Sequence, residues 1–327
     1  MKDNLRPGVY ARCERESAAC GDENAMAALF MACGEAEPGS YILTELYGGE
    51  EDLTPREKSA AELLLRGGAG RVLLARYKEG ENPFARIAGI KDKIFACVCD
   101  ETVPEGFISP WLYSLTEEGR GGFALTGRAA AREAAELARG LAHERALVCG
   151  PGVRLAEDSG CDPLFAACAM AGAVLSSRHP LTRFSGMEFP ALKGAQLLPE
   201  EEIQSLLRAG VCVFEEACGS VRLIRGLTAA ADQGMRELGA TLGADYVLAR
   251  IKGCLEKRLR DGVTAPQSIK DQATAELMAL REEGILSDFD PPRCQAEPQD
   301  PSTCAVGLGF TLARLIGRIH ITARIRA

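Results

Sequence analysis

Histidine is scarce in this sequence, and the common cysteine motifs of metal sites are absent. The 327 residues include three histidines, and none of the thirteen cysteines forms a CxxC pair. A zinc site with the usual ligand spacing is therefore not expected. The GxGxxG and GxxxxGK phosphate-binding motifs and the GxSxG nucleophile motif are also absent. The sequence thus predicts no cofactor and no catalytic residue.

Long apolar runs and an excess of basic residues are missing as well. No stretch approaches the roughly 18 apolar residues of a membrane span, and the opening MKDNLRPGVY has no apolar signal-peptide segment. Membrane insertion is therefore not expected. Acidic residues outnumber basic ones by 46 to 38, which gives a net charge of −8. This balance argues against nucleic acid as a partner, because nucleic-acid-binding proteins usually carry a basic stripe.

Aromatic residues are also few, at 6% of the chain, whereas hydrophobic residues make up 46%. The core is therefore predicted to consist mainly of small and aliphatic side chains. Several cysteines lie in apolar runs such as IFACVC and ALVCG. Most cysteines are expected to be buried and reduced, as in a cytoplasmic protein.

Strand-like and helical segments alternate between residues 21 and 190. Thr54 fits a helix N-cap, with Pro55 at the first helical position and Gly67 as the stop. Apolar strand patterns and helical patterns then alternate in the order RVLLARY, KIFACVCD, GGFALTG, RAAAREAAELARGLA, RALVCGPG and PLFAACAMAGAVLSSR. This alternation predicts an α/β fold, in which a helix-covered sheet domain is followed by a smaller α+β C-terminal domain.

The pattern changes after a boundary placed near residue 190. The predicted C-terminal domain, 191–312, contains a β-hairpin over 211–226 that turns at Cys218-Gly219. The proline-rich DPPRCQAEPQDPS is predicted to be a loop. Helices are expected over 233–260 and 266–284, and the proline-rich loop is expected over 290–302.

The two ends of the chain are predicted to be extended arms. Residues 1–20 hold a strand-like fragment at Val9 and Tyr10, and residues 313–327 alternate with a period of two. One face of this C-terminal strand is apolar and the other is basic, as seen in Ile319, Ile321, Ile325, Arg324 and Arg326. A strand with one apolar face needs a sheet edge. It either folds onto its own domain or adds to the sheet of another copy.

A small-molecule site is the alternative interpretation. CGPGVR follows a predicted strand, and its glycines are suited to line a pocket at the carboxyl edge of the sheet. The chain would then be a cytoplasmic α/β enzyme that binds a nucleotide or small acid near Gly150-Gly152. RGGAGR follows a helix and is interpreted as a helix-terminating turn. His143 is interpreted as opposing a helix dipole, not as part of a hydrolase set with Ser159.

Several segments, taken in order, resemble those of contractile phage tail sheath proteins. RPGVY resembles the start of that family, and AALFMACGEAEPGSYILTELYGGEEDL resembles its first strand–turn–strand segment. ELLLRGGAGRVLLARY is similar to its helix, double-glycine and strand element. LAHERALVCGPGV and AMAGAVLSSRHPLTRFSGMEF are similar to the middle of its α/β domain. The most specific similarity is LLRAGVCVFEEACGSVRLIRGLT, which resembles the hairpin that opens the family's C-terminal domain.

The resemblance implies a structural subunit without enzymatic activity. Such proteins polymerise with copies of themselves as stacked hexameric rings around a tail tube, and they contract to drive the tube through a target envelope. Implied partners are the tail tube, baseplate and tail terminator proteins, and implied locations are the host cytoplasm during assembly and the virion tail sheath. The family links subunits through arms that complete a neighbour's sheet, which implies linking roles for Val9, Tyr10, Ile319, Ile321, Ile325, Arg324 and Arg326.

Overall fold

The computed structural model describes most of the chain but not its two ends. The described residues are 26–33, 38–44, 52–90, 94–117, 121–156, 159–177, 179, 181–260, 265–296 and 303–313. The predicted N-terminal arm, 1–20, lies outside them, as does the predicted C-terminal strand except for Ala313. The seven residues predicted to link subunits therefore all lie outside the described part of the chain.

An eight-stranded sheet lies at the centre of the larger part of the protein. Its strands are β1 (Met26–Ala32), β2 (Gly39–Leu43), β3 (Arg71–Tyr77), β4 (Ile94–Cys99), β5 (Phe123–Gly127), β6 (Ala146–Cys149), β9 (Val211–Ala217) and β10 (Ser220–Arg225). They are arranged in the order β10-β9-β6-β5-β4-β1-β3-β2. The six inner strands are mutually parallel, whereas β2 and β10 run antiparallel at the edges. A separate short pair joins β7 (Val153–Arg154) to β8 (Gly194–Ala195).

Helices cover both faces of this sheet. Residues from α1 (Pro55–Arg66) and α4 (Pro163–Ser176) form the core on one face, and residues from α2 (Glu105–Glu117), α3 (Ala131–Leu141) and α5 (Glu200–Ala209) form the core on the other. Successive residues of the buried strands alternate between the two cores; in β1, for example, Ala27 and Leu29 face one core and Ala28 and Phe30 the other. The predicted α/β class, a sheet buried on both faces, is confirmed.

Local sequence signals set several element ends, as predicted for Thr54 and for Cys218-Gly219. Thr54 caps α1 in a reciprocal pair: its hydroxyl accepts the N–H of Glu57 at 3.3 Å, and the Glu57 carboxylate accepts the N–H of Thr54 at 2.7 Å. Gly210 ends α5 with a φ of 86°. Cys218 and Gly219 turn the β9–β10 hairpin, with φ angles of 52° and 80°. Two residues with positive φ match the twist of a two-residue hairpin.

The chain divides into two compact units between Ala249 and Arg250, whereas the sequence predicted a boundary near residue 190. The β9–β10 hairpin does not open the second unit, because β9 joins the large sheet. It pairs in parallel with β6, bringing Val211 beside Val148 and Cys212 beside Cys149. Helix α6 (Leu238–Arg260) continues across the division.

The smaller unit contains the end of α6, helix α7 (Pro266–Glu282) and two antiparallel strands, β11 (Leu286–Ala296) and β12 (Cys304–Leu312). Strand β11 includes Pro291 and Pro292, so the prediction of a loop is wrong over residues 290–296. The pairing with β12 is irregular between Asp290 and Arg293. Because proline has no N–H to donate, such an irregularity is where a strand accommodates it.

Candidate assembly site

Strands β11 and β12 form a two-stranded sheet, and within the described part of the chain they pair only with each other. The register brings Phe289 opposite Phe310 and Cys294 opposite Val306. A two-stranded sheet is marginally stable in water, and its outer edges present rows of backbone N–H and C=O groups. Such edges can accept a strand from another chain. The β11–β12 sheet is therefore the best-placed candidate for strand addition.

Helix α7 supports β11 from one side. The guanidinium of Arg281 lies 5.4 Å from the centre of the Phe289 ring, and Pro292 is buried. On α7 itself, Leu277 and Leu280 are fully buried. Because the helix fixes the strand, the open edges of the sheet have a defined geometry before any strand is added.

Ion pairs join α7 to the end of α6. Arg250 lies 2.6 Å from a carboxylate oxygen of Glu276 and 3.2 Å from one of Glu283. Further along, the Arg258 Nε donates to the Gln272 side-chain oxygen at 2.9 Å. Residue numbers rise along α6 as they fall along α7 at these contacts, so the two helices run antiparallel. The β11–β12 sheet thus belongs to a unit with its own helical support.

The exposed side chains of β11 include two acids. Asp288 and Asp290 are both exposed, and two positions along a strand place side chains on the same face. Gly309 lies opposite Asp290, and a Cβ at that glycine would come 2.5 Å from the Asp290 carboxylate. Because Gly309 has no side chain, there is room for the Asp290 carboxylate beside it. Exposed carboxylates of this kind can pair with basic side chains of an added strand.

The adjacent prolines Pro291 and Pro292 hid the strand β11 in the sequence, because such a pair is a strong loop signal. The preceding run LSDFD gave no clear strand signal either, because Ser287 and Asp288 are adjacent polar residues and break the apolar–polar alternation.

The edge of the large sheet at β10 is covered by the chain itself. The Gly186 and Phe189 N–H groups donate to carbonyl oxygens of Leu223 and Val221 at 2.7 and 2.8 Å, and the Leu223 N–H donates to Met187 at 2.9 Å. At the opposite edge, β2 has no second partner among the described residues, and its Ile42 is exposed. The large sheet therefore has one closed edge and one edge that is open in the described structure.

The carboxyl edge of the parallel strands is where a nucleotide site would be expected in an α/β enzyme. Here Asp100, at the end of β4, accepts the Ala32 N–H, the Tyr77 hydroxyl and the Thr102 hydroxyl, each at 2.7 Å. Burial raises the pKa of Tyr77 well above its usual range, so the phenol stays protonated as a donor. These bonds tie the ends of β1, β3 and β4 together.

The glycines of the alternative site are closely packed by backbone. A Cβ on Gly150 would lie 2.8 Å from the Arg128 carbonyl oxygen, and one on Gly152 would lie 2.8 Å from Asp162. Gly150, Pro151 and Gly152 are all buried. The two described cavities are lined by other residues. Backbone atoms therefore pack closely against both glycines at the place predicted for a nucleotide or small acid.

The remaining candidate motifs have structural roles. Gly67 lies at the end of α1, as predicted, and it allows close approach to α4: a Cβ there would be 2.6 Å from the Cα of Gly172. The His143 Nδ1 accepts the Arg145 N–H at 3.0 Å, and burial lowers the pKa of His143. The neutral ring does not oppose the helix dipole with a charge, contrary to the prediction. Ser159 forms a local turn by donating to the Ala156 carbonyl at 2.9 Å.

The described residues contain no group of three or more side chains suited to hold a metal ion. No helix within the described ranges is long and apolar enough to cross a membrane. Of the cysteines in these ranges, those in the central strands and α4 are buried as predicted, whereas Cys161 and Cys218 are exposed. Burial raises the pKa of the Cys99 and Cys168 thiols, so these two side chains stay protonated.

The described structure thus combines a helix-covered sheet with a smaller unit whose two-stranded sheet has no further strand among the described residues. No protein-family model matches the sequence, and no curated protein is significantly similar to it. Solved structures identify the architecture: it is the fold of contractile tail sheath proteins. Identities to them are low, so the similarity establishes the fold.

Three solved structures illustrate the similarity. A chain of the anti-feeding prophage baseplate, determined by cryo-EM with six-fold symmetry, has a TM-score of 0.71 at 15% identity, over 99% of this chain and 100% of that chain. A chain of the PVC sheath complex of an extracellular contractile injection system, in the contracted state, has a TM-score of 0.67 at 13% identity, over 99% and 98%. The sheath tail protein of Desulfitobacterium hafniense has a TM-score of 0.63 at 10% identity, over 93% and 100%.

Proposed function

We propose that this chain is the repeating structural subunit of a contractile tail sheath. The observation that carries the proposal is the agreement in fold along nearly the whole of both chains, 99% of this one and 98% of a chain from a contracted sheath complex. A common α/β domain alone would match only part of such a chain. Here the match extends over both compact units and includes the β11–β12 sheet.

The subunits polymerise as stacked hexameric rings around a tail tube. The six-fold symmetry of the baseplate structure that contains a similar chain supports this arrangement. The partners are further copies of the chain, the tail tube protein, and baseplate and tail terminator proteins. The subunit is present in the host cytoplasm during assembly and then in the tail sheath of the particle.

Strand addition links neighbouring subunits. The C-terminal strand presents Ile319, Ile321 and Ile325 on its apolar face, and it adds to an open edge of a neighbour's β11–β12 sheet. Arg324 and Arg326 then pair with exposed acids of the neighbour, for which Asp288 and Asp290 are the described candidates. The N-terminal fragment at Val9 and Tyr10 takes the second open edge. An apolar face on the added strand sets its register.

Contraction needs no chemical step in this proposal. The subunit bodies exchange one set of packing contacts for a more stable one, which is a bistable packing change. The strand links persist throughout and keep the subunits connected. The work of driving the tube through an envelope comes from the difference in packing free energy between the two lattices.

Negative-stain electron microscopy of the purified protein tests this function. The full-length chain is compared at high concentration with a version that ends at Leu315, with and without tail tube protein. Rings or tubes formed by the full-length chain alone support both the sheath function and the strand link. If both versions polymerise, the assembly stands but the C-terminal strand is not the link. If neither forms rings or tubes, even with tube protein present, the proposed function is wrong.

A further inference from the structure

A small apolar cleft lies beside the 3₁₀ helix Pro83–Ile87 and helix α2. It has a volume of about 270 Å³ and is lined chiefly by Asn82, Phe84, Phe107, Pro110 and Trp111. Small-molecule sites typically have volumes of roughly 300–1,000 Å³. The cleft falls just below this range, and its lining carries no charged side chain. It is suited to an inserted apolar side chain.

Trp111 is held rigidly in this cleft with a hydrogen-bond donor unused. Its ring stacks on Phe84 at a centroid distance of 5.1 Å, and Phe84 in turn packs edge-on against Phe30 at 4.9 Å. The Trp111 side chain is only 8% exposed, and its indole N–H has no acceptor among the described residues. A buried donor without an acceptor is costly. Because the nitrogen is itself inaccessible to solvent, the cleft offers the face of the Trp111 ring, and not its N–H, to an incoming group.

The outer face of α2 lacks the charges expected of a helix in contact with water. No charged residue occurs between Glu105 and Glu117, although charged residues make up 26% of the chain. Tyr113 on this helix is 58% exposed. A surface helix normally carries charged residues on its solvent face. The uncharged face and the adjoining cleft together have the character of a contact surface.

A matching projection occurs elsewhere on the same unit. Leu197 is 86% exposed, more than any other large hydrophobic residue in the described ranges. Its neighbours are anchored: the Gln196 N–H donates to the Gly152 carbonyl at 3.1 Å, and Leu198 packs against one of the two cores. The Leu197 side chain is therefore exposed to solvent, whereas the backbone on either side of it is held in place.

The projection and the cleft lie on well-separated parts of the large sheet. Leu197 comes just before α5, which packs on β9, whereas the 3₁₀ helix packs on β3. Five strand-to-strand steps separate β9 from β3 in the sheet order. At about 4.8 Å per step this is roughly 24 Å. Leu197 therefore cannot enter the cleft of its own subunit, and a head-to-tail contact between subunits would repeat in one direction.

We propose that Leu197 of one subunit inserts into the cleft formed by Phe84, Phe107, Pro110 and Trp111 of the next subunit. This inference rests on the proposed function, because a sheath surrounds each subunit with further copies of the same chain.

The charges near Leu197 and those beside the cleft are of opposite sign, which favours the proposed contact. Glu200, Glu201 and Glu202 begin α5 close behind Leu197. Beside the cleft, the 3₁₀ helix carries Arg86, whose guanidinium makes a single described bond, to Glu81 at 3.3 Å. Its remaining N–H donors are available to a glutamate of the neighbour. The acidic start of α5 and Arg86 are therefore complementary in charge across the proposed contact.

Photo-crosslinking identifies the contact directly. A benzoylphenylalanine at position 197 is placed in the full-length chain, and assemblies are formed from equal parts of ¹⁴N- and ¹⁵N-labelled protein. Crosslinked peptides are expected to join position 197 to residues 82–87 or 106–111 of a differently labelled copy. The control carries the same group at Met278, which is an exposed apolar residue of the smaller unit. It should not crosslink to the cleft.

Substitutions measure the contribution of the contact. Leu197→Ser should raise the critical concentration for assembly by about tenfold or more, since it removes the burial of one leucine. Leu197→Met should change it by less than about twofold, because methionine fills an irregular pocket well.

The outcomes separate this inference from the proposed function. If the protein forms rings or tubes but position 197 crosslinks elsewhere, or Leu197→Ser assembles like the original chain, the inference is overturned and the sheath function stands. If no rings or tubes form, the crosslinking is carried out on the concentrated soluble protein. A crosslink to the cleft then supports the contact as a self-association surface, and its absence overturns it.

Discussion

Arg145 and Asp245 form a fully buried ion pair across one hundred positions of sequence. Two guanidinium nitrogens of Arg145 donate to the two carboxylate oxygens of Asp245 at 3.1 and 2.9 Å, and both side chains are 0% exposed. Arg145 directly precedes β6, and Asp245 lies in α6. The pair therefore fastens the first part of α6 to the central sheet. Arg145 also lies over the Phe123 ring at 5.6 Å.

Replacing one partner of this pair should be strongly destabilising. Asp245→Asn leaves the Arg145 charge buried without a counter-charge, and the free energy of unfolding should fall by about 3–5 kcal/mol. Urea unfolding at about pH 8.5, where the original Asp245 is ionised, provides the measurement. Arg132→Gln breaks the exposed Arg132–Glu136 pair and should cause no measurable change. A loss below about 1 kcal/mol for Asp245→Asn would contradict the expectation.

Two buried groups should give opposing pH dependence below neutrality. Burial lowers the pKa of His143 from its usual 6.5, with opposing influences from Glu144 and Arg145. Its contribution to stability is complete above pH 6.5 and is lost as the pH falls below it, because only the unfolded chain takes up the proton readily. Burial raises the pKa of Asp245 from 3.8 to about 7, against the lowering influence of Arg145. Its contribution therefore increases as the pH falls from about 7 toward 4.

Single substitutions separate these two contributions. In His143→Gln, the free energy of unfolding should rise, relative to the original protein, as the pH is lowered from about 6.5 to 5. The change should be at most about 1.4 kcal/mol per pH unit. In Asp245→Asn the relative change should have the opposite sign. Urea unfolding at several pH values measures both slopes, and slopes equal to that of the original protein would show that neither group titrates as described.

A methyl group added between α1 and α4 should destabilise the larger unit. A Cβ on Gly172 would lie 2.7 Å from the Cα of Gly67, so Gly172→Ala must force the two helices apart. The expected loss is about 1–3 kcal/mol. Gly253→Ala in α6 is the matched control, because a Cβ there meets no atom within 4 Å. It should raise the unfolding free energy by roughly 0.5–1 kcal/mol. Equal effects of the two substitutions would contradict this account of the helix contact.

The apolar face of the C-terminal strand should matter more than its charges. Ile321→Asp is expected to block polymerisation and leave the circular dichroism spectrum of the monomer unchanged, since this face meets only a neighbour in the proposed assembly. Arg324→Gln and Arg326→Gln should weaken polymerisation less, because charges at a rim are screened by salt. Loss of monomer folding in Ile321→Asp would show instead that the strand belongs to its own subunit's core.

Local chemistry made much of the fold predictable. Thr54, Pro55 and Gly67 delimit a helix through interactions within a few residues, and Cys218-Gly219 marks a hairpin through the backbone angles that its turn requires. Apolar runs in βα alternation then determine that a sheet is covered on both faces.

Relationships between distant residues were not predictable in the same way. Strand β9 follows the predicted boundary near residue 190 and yet pairs with β6 in the large sheet, and one sequence contains no signal for which strands become neighbours. The buried ion pair between Arg145 and Asp245 could not be predicted for the same reason, because the two residues are far apart in the sequence. Pro291 and Pro292 favoured a loop because the irregular pairing that accommodates them depends on β12.

The segment 186–189 that covers β10 limits how large sheets from different subunits can combine. A continuous ladder through many molecules needs a free edge on each side of every sheet, and here one side is already occupied by the chain's own backbone. Two β2 edges could meet, but such a junction would end with two molecules. The eight-stranded sheets are thus protected from fusing into fibrils. In the proposed sheath, subunits would therefore be joined through elements other than the large sheets.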